Sequence, residues 1–249
     1  MKNLIIALLL VPAARAAEPI KLRVYHTNDV HGWIMPRPDK FQTNRLVGGA
    51  AALAALIAKD TGPKLVLDAG DWWQGTPEGS LTKGEAVADV FNAIGYDAVV
   101  IGNHEYDDGA DSLKTLIGKI KVPVLSANTY GADGKLVPWV RASIVKEIAG
   151  VKVGIFGLTT TNMRRLAFPK NIAGLDFRRE VDVAREQVKA LKRQGATVII
   201  AVTHIGLENE HSKHEGDQTL AREVPGIDLI VGGHSHTFLS RPVQGRTEP

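Results

Sequence analysis

Five short stretches hold most of the side chains that could bind a metal or move a proton. They are Asp29-Val30-His31, Gly70-Asp71, Gly102-Asn103-His104-Glu105, Thr203-His204 and Gly233-His234-Ser235-His236. Their donors are carboxylate and amide oxygens and imidazole nitrogens. The chain has no cysteine, which excludes thiolate zinc sites, iron–sulfur clusters, disulfides and thiol nucleophiles. Oxygen and imidazole donors without thiolate suit Zn, Mn, Fe, Co or Mg. A carboxylate such as Asp71, placed after a glycine that frees the backbone, can bridge two cations about 3.5–4 Å apart. Such a pair clamps the attacking and leaving oxygens of an in-line displacement and acidifies a bound water. Asp-x-His and His-x-His spacing would set two ligands on one side of a strand end, because side chains alternate with period two. Singly, each motif also reads as a turn, a capped helix or a surface pair. Their joint occurrence at the ends of five separate strands points to one site.

The elements that must position them follow from the apolar pattern. Strands are expected at residues 22–27, 64–67, 98–101, 122–126, 140–147, 152–157, 198–202 and 228–231. Helices are expected at 48–59, 85–94, 111–120, 181–194 and 218–224. Asp111 is expected to cap its helix, and Gly195 to close the helix before it. Ala149-Gly150 reads as a turn between two strands. Strands alternating with helices argue for an α/β fold. Continuous apolar strands argue for sheets covered on both faces. In open α/β sheets ligands gather beyond the carboxyl ends of the strands, so residues from 29 to 236 can converge.

Length and composition bound the rest. The 249 residues allow one large domain or two small ones, and 44% apolar with 23% charged residues is ordinary for a soluble globular chain. Residues 1–16, MKNLIIALLLVPAARA, carry Lys2, an apolar run of eight and the cleavage pattern Ala14-Arg15-Ala16. They read as a secretory signal peptide, since a bilayer span needs about 20 apolar residues. No stable membrane anchor is expected. Without the leader the chain carries 28 basic and 27 acidic residues. No Lys/Arg stripe with interleaved aromatics is present, so a nucleic-acid polymer is not an expected partner. Export of a cysteine-free chain fits a bacterial periplasm.

The five motifs, in this order, resemble those of the calcineurin-like metallophosphoesterases. HTNDVHG at 26–32, IGNHEYDDG at 101–109 and GGHSHT at 232–237 are similar to the exported 5′-nucleotidase group. That group has UDP-sugar hydrolase and 2′,3′-cyclic nucleotide phosphodiesterase relatives. The likeness runs over nearly all of residues 20–240. It implies a four-layer αββα sandwich and two divalent cations, Zn, Mn, Mg or Fe. By position, Asp29, His31 and His236 would hold the first cation and Asn103, His204 and His234 the second, with Asp71 between them. His104 would face the phosphate and leaving group, oriented by Asp107. Asn103 and His104 would touch a small-molecule phosphate ester, a nucleotide in the leading reading. Glu105 would make structural hydrogen bonds. The implied reaction is hydrolysis by metal-activated water, with no covalent enzyme intermediate. The thiosulfate-processing relatives are disfavoured, because Asn103 and His104 are both kept.

A metal-binding module without turnover is the competing reading. Residues 17–249 read as a catalytic domain cut short, ending 13 residues after His236. The base-stacking C-terminal domain of the nucleotidases is expected to be missing. Four further readings concern residues outside the ligand set. His26 reads as a core or hydrogen-bonded histidine, and His211 and His214 as part of a solvated loop. Asp68 reads as a strand-end hydrogen-bonding group. Trp72 and Trp73 could line the substrate mouth or cover the core.

Overall fold

The structure is a computed structural model that describes residues 19–208 and 215–245. Its frame is two four-stranded sheets. The first is parallel, in the order β1 (Arg23–Thr27), β2 (Lys64–Asp68), β3 (Ala98–Val100), β4 (Val124–Leu125). The second contains β5 (Ser143–Ile148), β6 (Val151–Thr159), β7 (Val198–His204) and β8 (Leu229–Gly232), in the order β8-β7-β6-β5. Here β6, β7 and β8 are parallel, and β5 is antiparallel to β6. Ala149 and Gly150 make that turn with φ of 51° and 82°, the positive values that match a two-residue hairpin to strand twist.

The apolar strands alternate between two cores. Leu65 and Leu67 of β2, Val153 and Ile155 of β6, and Ile200 and Val202 of β7 pack between the sheets. Val66 faces an outer core with Trp72, Phe91 and Leu113. That core includes residues from the helices α1 (Ala50–Lys59), α2 (Glu85–Ile94) and α3 (Ala110–Ile117). Phe156, Leu158, Ile199 and Ala201 face the opposite outer core. It is closed by α4 (Glu180–Arg193) and α5 (Asp217–Glu223), which supply Val181, Leu191 and Leu220. The result is the expected αββα sandwich. Every central strand is buried on both faces, which is why its sequence reads as an unbroken apolar run.

Several boundaries differ from expectation. Gly109, not Asp111, stands at the N-cap of α3, with φ of 88° and no side-chain cap. β6 and β7 run further than expected, to Thr159 and His204, so His204 is the last residue of its strand. Two ribbons were not legible: Arg37–Pro38 with Leu46–Val47, and Thr129–Gly131 with Leu175–Phe177. Among the described residues, no helix is long and apolar enough to cross a membrane. The expected leader, and His211 and His214, lie outside the described residues.

Candidate metal centre

The motifs converge at the carboxyl ends of β1, β2, β3, β7 and β8. Two groups of three ligand atoms form there, each within 4.8 Å of one another: Asp29, His31 and His236, and Asp71, His204 and His234. In the first, His31 Nε2 is 3.2 Å from His236 Nε2, and His236 Nε2 is 3.4 Å from Asp29 Oδ1. In the second, His204 Nε2 is 3.0 Å from Asp71 Oδ2. The same Asp71 oxygen is 3.8 Å from His31 Nε2, so one carboxylate oxygen faces both groups. Asp71 Oδ1 accepts the His104 backbone N–H at 2.9 Å.

The backbone does this by a route other than strand alternation. Asp29, His31, Asp71, His234 and His236 all have positive φ, between 48° and 80°. Non-glycine residues rarely adopt this region, and they persist there when the surroundings over-determine them. The two ligands of each D-x-H or H-x-H pair therefore lie past the strand, not on one pleated face. In the second pair they diverge, His234 to one group and His236 to the other. Two glycines let the loops close. A Cβ on Gly70 would lie 2.6 Å from His204 Nδ1, and one on Gly102 would lie 2.3 Å from Asp71 Oδ1.

Hydrogen bonds behind the ligands fix their tautomers. His31 Nδ1 pairs with the Gln74 carbonyl at 2.7 Å, and His204 Nδ1 with the Ala69 carbonyl at 2.6 Å. A carbonyl only accepts, so each Nδ1 carries hydrogen and each neutral ring keeps a lone pair at Nε2, the usual arrangement of a metal-binding imidazole. Asn28 Nδ2 donates to Asp29 at 2.7 Å, and the His234 N–H donates to both Asp29 oxygens. Glu105 accepts from three backbone N–H groups, those of Asp71, Trp72 and Gly102. It ties the two central loops together, as expected. His104 Nδ1 pairs with Asp107 Oδ2 at 2.8 Å, and Asn171 Nδ2 donates to the Asp107 carbonyl at 2.6 Å.

The site's fit to cations can be read from its orphan atoms. His204 Nε2 and Asn103 Oδ1 are buried and have no hydrogen-bond partner. The 3.0 Å approach of Asp71 to His204 is close but misaligned for a hydrogen bond. A buried polar atom left unpaired costs about 1–3 kcal/mol, and a cation would satisfy both. Without a cation, His204 and Asp71 hold each other as an ion pair. Burial would push His204 down, yet the Asp71 carboxylate, with Asp29 behind it, lifts it to about 9. Burial, with His204 second, pushes His234 down to about 4. Burial likewise favours the neutral form of Asp71, but His204 and the His104 N–H hold it near 2. His104 is raised above its usual value, first by its bond to Asp107.

The remaining sequence candidates resolve plainly. Trp72 and Trp73 are buried in the outer core rather than at the mouth. His26 is exposed on β1 and is not a core residue. Asp68 accepts from Thr27 Oγ1 and the Gly70 N–H, the strand-end role expected. Gln74, Ala69 and Asn171 were not anticipated. The first two act through main-chain carbonyls, which leave no trace in side-chain type.

A layered α/β sandwich with two imidazole–carboxylate groups at its strand ends defines a candidate metal-dependent hydrolase centre. The chain belongs to the calcineurin-like phosphoesterase family, which it matches over residues 22–238. It is 37% identical over 242 residues to a 5′-nucleotidase of Rattus norvegicus, covering 92% of this chain and 40% of that protein. It is 36% identical over 235 residues to a 5′-nucleotidase of Vibrio cholerae, covering 88% and 41%. The crystal structure of a 5′-nucleotidase precursor from Thermus thermophilus superposes with a TM-score of 0.78 at 31% identity, covering 92% of this chain and 44% of that one. The chain thus spans about 40% of the length of the curated relatives it matches.

Proposed function

We propose that the protein hydrolyses phosphate esters of nucleotides, as a 5′-nucleotidase-like enzyme exported to a periplasm. The observation that carries this reading is the single oxygen Asp71 Oδ2, which lies 3.0 Å from His204 Nε2 and 3.8 Å from His31 Nε2. In this reading Asp29, His31 and His236 hold one divalent cation, Asn103, His204 and His234 hold a second, and Asp71 serves both. When bound, the two cations supply Lewis acidity to phosphoryl oxygens and to water. The nucleotide names of the relatives support the substrate class, and the leader-like first 16 residues support export.

The chain's own residues account for proton transfer. Asp107 holds His104 Nδ1, so Nε2 is the atom turned to substrate. Protonated His104 donates from Nε2 to the leaving alkoxide as the ester P–O bond breaks and water oxygen bonds to phosphorus. Asp107 keeps the ring in one orientation and raises its basicity. Phosphate and the free alcohol leave, and His104 regains its proton from water. The Asn103 side-chain nitrogen and His104 are the groups that would touch phosphoryl oxygens.

The test is product formation by the purified full chain with Mn²⁺, Zn²⁺ or Mg²⁺, resolved by chromatography: phosphate from a monophosphate ester, a ring-opened monophosphate from a cyclic ester, and UMP with glucose 1-phosphate from a UDP-sugar. Adenosine monophosphate, 2′,3′-cyclic AMP and UDP-glucose serve as separate substrates. Turnover of the monophosphate alone supports the nucleotidase reading, and preference for either other substrate moves the assignment within the family. The two ligand groups also fit one second reading, a metal-binding module without turnover. Tight metal binding with no hydrolysis of p-nitrophenyl phosphate would establish it.

A further inference from the structure

The His104–Asp107 pair stands partly in water: its side chains are 35% and 31% exposed. Holding two such groups in one geometry costs side-chain entropy, and an exposed pair gains little in return. Their aim therefore depends on the backbone that carries them.

That backbone is a single 3-10 turn over His104–Tyr106, closed by the Asp107 N–H on the His104 carbonyl at 3.1 Å. Tyr106 pins the turn to the outer core, where it is fully buried with its ring edge-on to Phe177. Beyond Asp107 the chain swings through Gly109, at a φ of 88°, into α3. The ladder of α3 starts with the Leu113 N–H on the Gly109 carbonyl. The Asp107 carbonyl thus falls between turn and helix. Asn171 Nδ2 donates to it at 2.6 Å.

Asn171 arrives from the other sheet. The segment after β6 crosses to the outer core of the first sheet, where Met163 and Ile172 share a cluster with Tyr106. Asn171 lies in the 3-10 turn Pro169–Ile172, and its own N–H donates to the Phe168 carbonyl at 2.8 Å. It is 8% exposed, so water is a poor substitute for its bond to Asp107, and leaving either partner unpaired is costly. A stiff support rooted in the core meets the one backbone carbonyl next to a side chain that needs orienting.

We propose that Asn171 is a positioning residue for proton donation. By fixing the Asp107 carbonyl it sets the carboxylate that holds His104 Nδ1, and so aims His104 Nε2 at the leaving oxygen. The inference rests on the hydrolase reading above and adds to it a brace, supplied across the two sheets, that acts through Asp107.

The experiment compares kcat and KM in the wild type, Asn171→Ala and Asn171→Leu, the last keeping the volume without the donor. One substrate is adenosine monophosphate, whose alkoxide must be protonated as it leaves. The other is p-nitrophenyl phosphate, whose phenolate leaves as a stable anion. A misaimed acid forfeits part of the roughly 10²–10⁴-fold that proton transfer contributes, so kcat for the nucleotide should fall by on the order of tenfold with KM held, and kcat for the aryl ester by less than about twofold. In an Asp107→Asn background, Asn171→Leu should cost nothing further. An equal loss on both esters, or an additive loss in the double variant, reduces Asn171 to a structural brace and overturns the proposal. Nitrogen-15 NMR of histidine-labelled, Mg²⁺-loaded protein gives a readout without turnover, with the His104 signals assigned by their loss in His104→Ala. Neutral His104 should carry its hydrogen at Nδ1 in the wild type and divide it between both nitrogens in Asn171→Leu. If the wild type hydrolyses neither ester but this tautomer shift is seen, the hydrolase reading fails and the positioning role stands. If turnover is present and Asn171→Leu changes neither the ester preference nor the tautomer, the positioning role alone fails.

Discussion

The two ligand groups are alike in chemistry and opposite in surroundings. His204 is fully buried and Asp71 almost so, whereas the His236 side chain is 59% exposed. Water can solvate His236, so its group loses little when empty. Water does not reach His204 Nε2, and no protein atom hydrogen-bonds to it, although Asp71 faces it as a charge at 3.0 Å. The inner group is therefore committed to a charge partner, while the outer group can open to solvent and substrate. The same division runs beneath them. Under the inner group lie three buried acids, Glu105, Asp68 and Asp217, which fix loops through backbone N–H groups and hydroxyls. Asp29 of the outer group is braced instead by Asn28 and the His234 N–H.

The largest effect should come from the residue that belongs to both. Asp71→Asn leaves the fold's packing nearly unchanged but halves the charge available to the two groups. Metal content measured on the purified variant should fall from two ions per chain toward none, and phosphate release by more than 100-fold, beyond the 10–100-fold typical of residues behind the ligands. Two retained ions would break the idea that the groups are joined. Single ligand deletions then separate them. His204→Ala should remove the tighter step in a calorimetric metal titration, and His236→Ala the weaker one, with the affinities at least about tenfold apart. A single merged step in the wild type would show that burial does not distinguish the groups.

The sequence carried the outer frame of this comparison but not its asymmetry. The pattern of His, Asp and Asn after five strand ends pointed to one site, and the resemblance to the metallophosphoesterases supplied seven candidate ligands, six of which fall in the two groups. The continuous runs of β2 and β7 named the covered sheets. Burial of His204 against exposure of His236 was not legible, since both follow strands and both are histidines. The positive φ of five ligands was hidden for the same reason: side-chain type does not report a left-handed backbone where the residue is not glycine. The ribbon of Arg37–Pro38 with Leu46–Val47 was missed because two residues per strand carry no period.

His104, whose ring lies 5.3 Å from that of His31, tests whether its partner acts on protonation or only on shape. Its raised basicity comes first from Asp107. Asp107→Asn should lower phosphate release about 10–100-fold. It should also move the limb of the kcat/KM profile that reports protonated His104 to lower pH. A uniform loss with an unmoved limb would reduce Asp107 to a positioning role.

The smallest effect probes the foundation of the inner group. Asp217 accepts the Thr203 hydroxyl at 2.6 Å, one residue from His204, and burial pushes its carboxyl up to about 7 from the usual 3.8. Between those values the folded chain keeps a proton that the unfolded chain has released. Stability contributed by this group is therefore full below about pH 4 and is lost as pH rises through 7. Asp217→Asn preserves an acceptor for Thr203 and removes the charge that burial opposes. Its melting temperature should match the wild type near pH 4 and exceed it by a few degrees near pH 8, since 1 kcal/mol moves a chain of this size by about 2–4 °C. Equal shifts at both pH values would mean that Asp217 holds its loop by hydrogen bonding alone. The inner group would then owe its rigidity to packing rather than to a buried acid kept neutral.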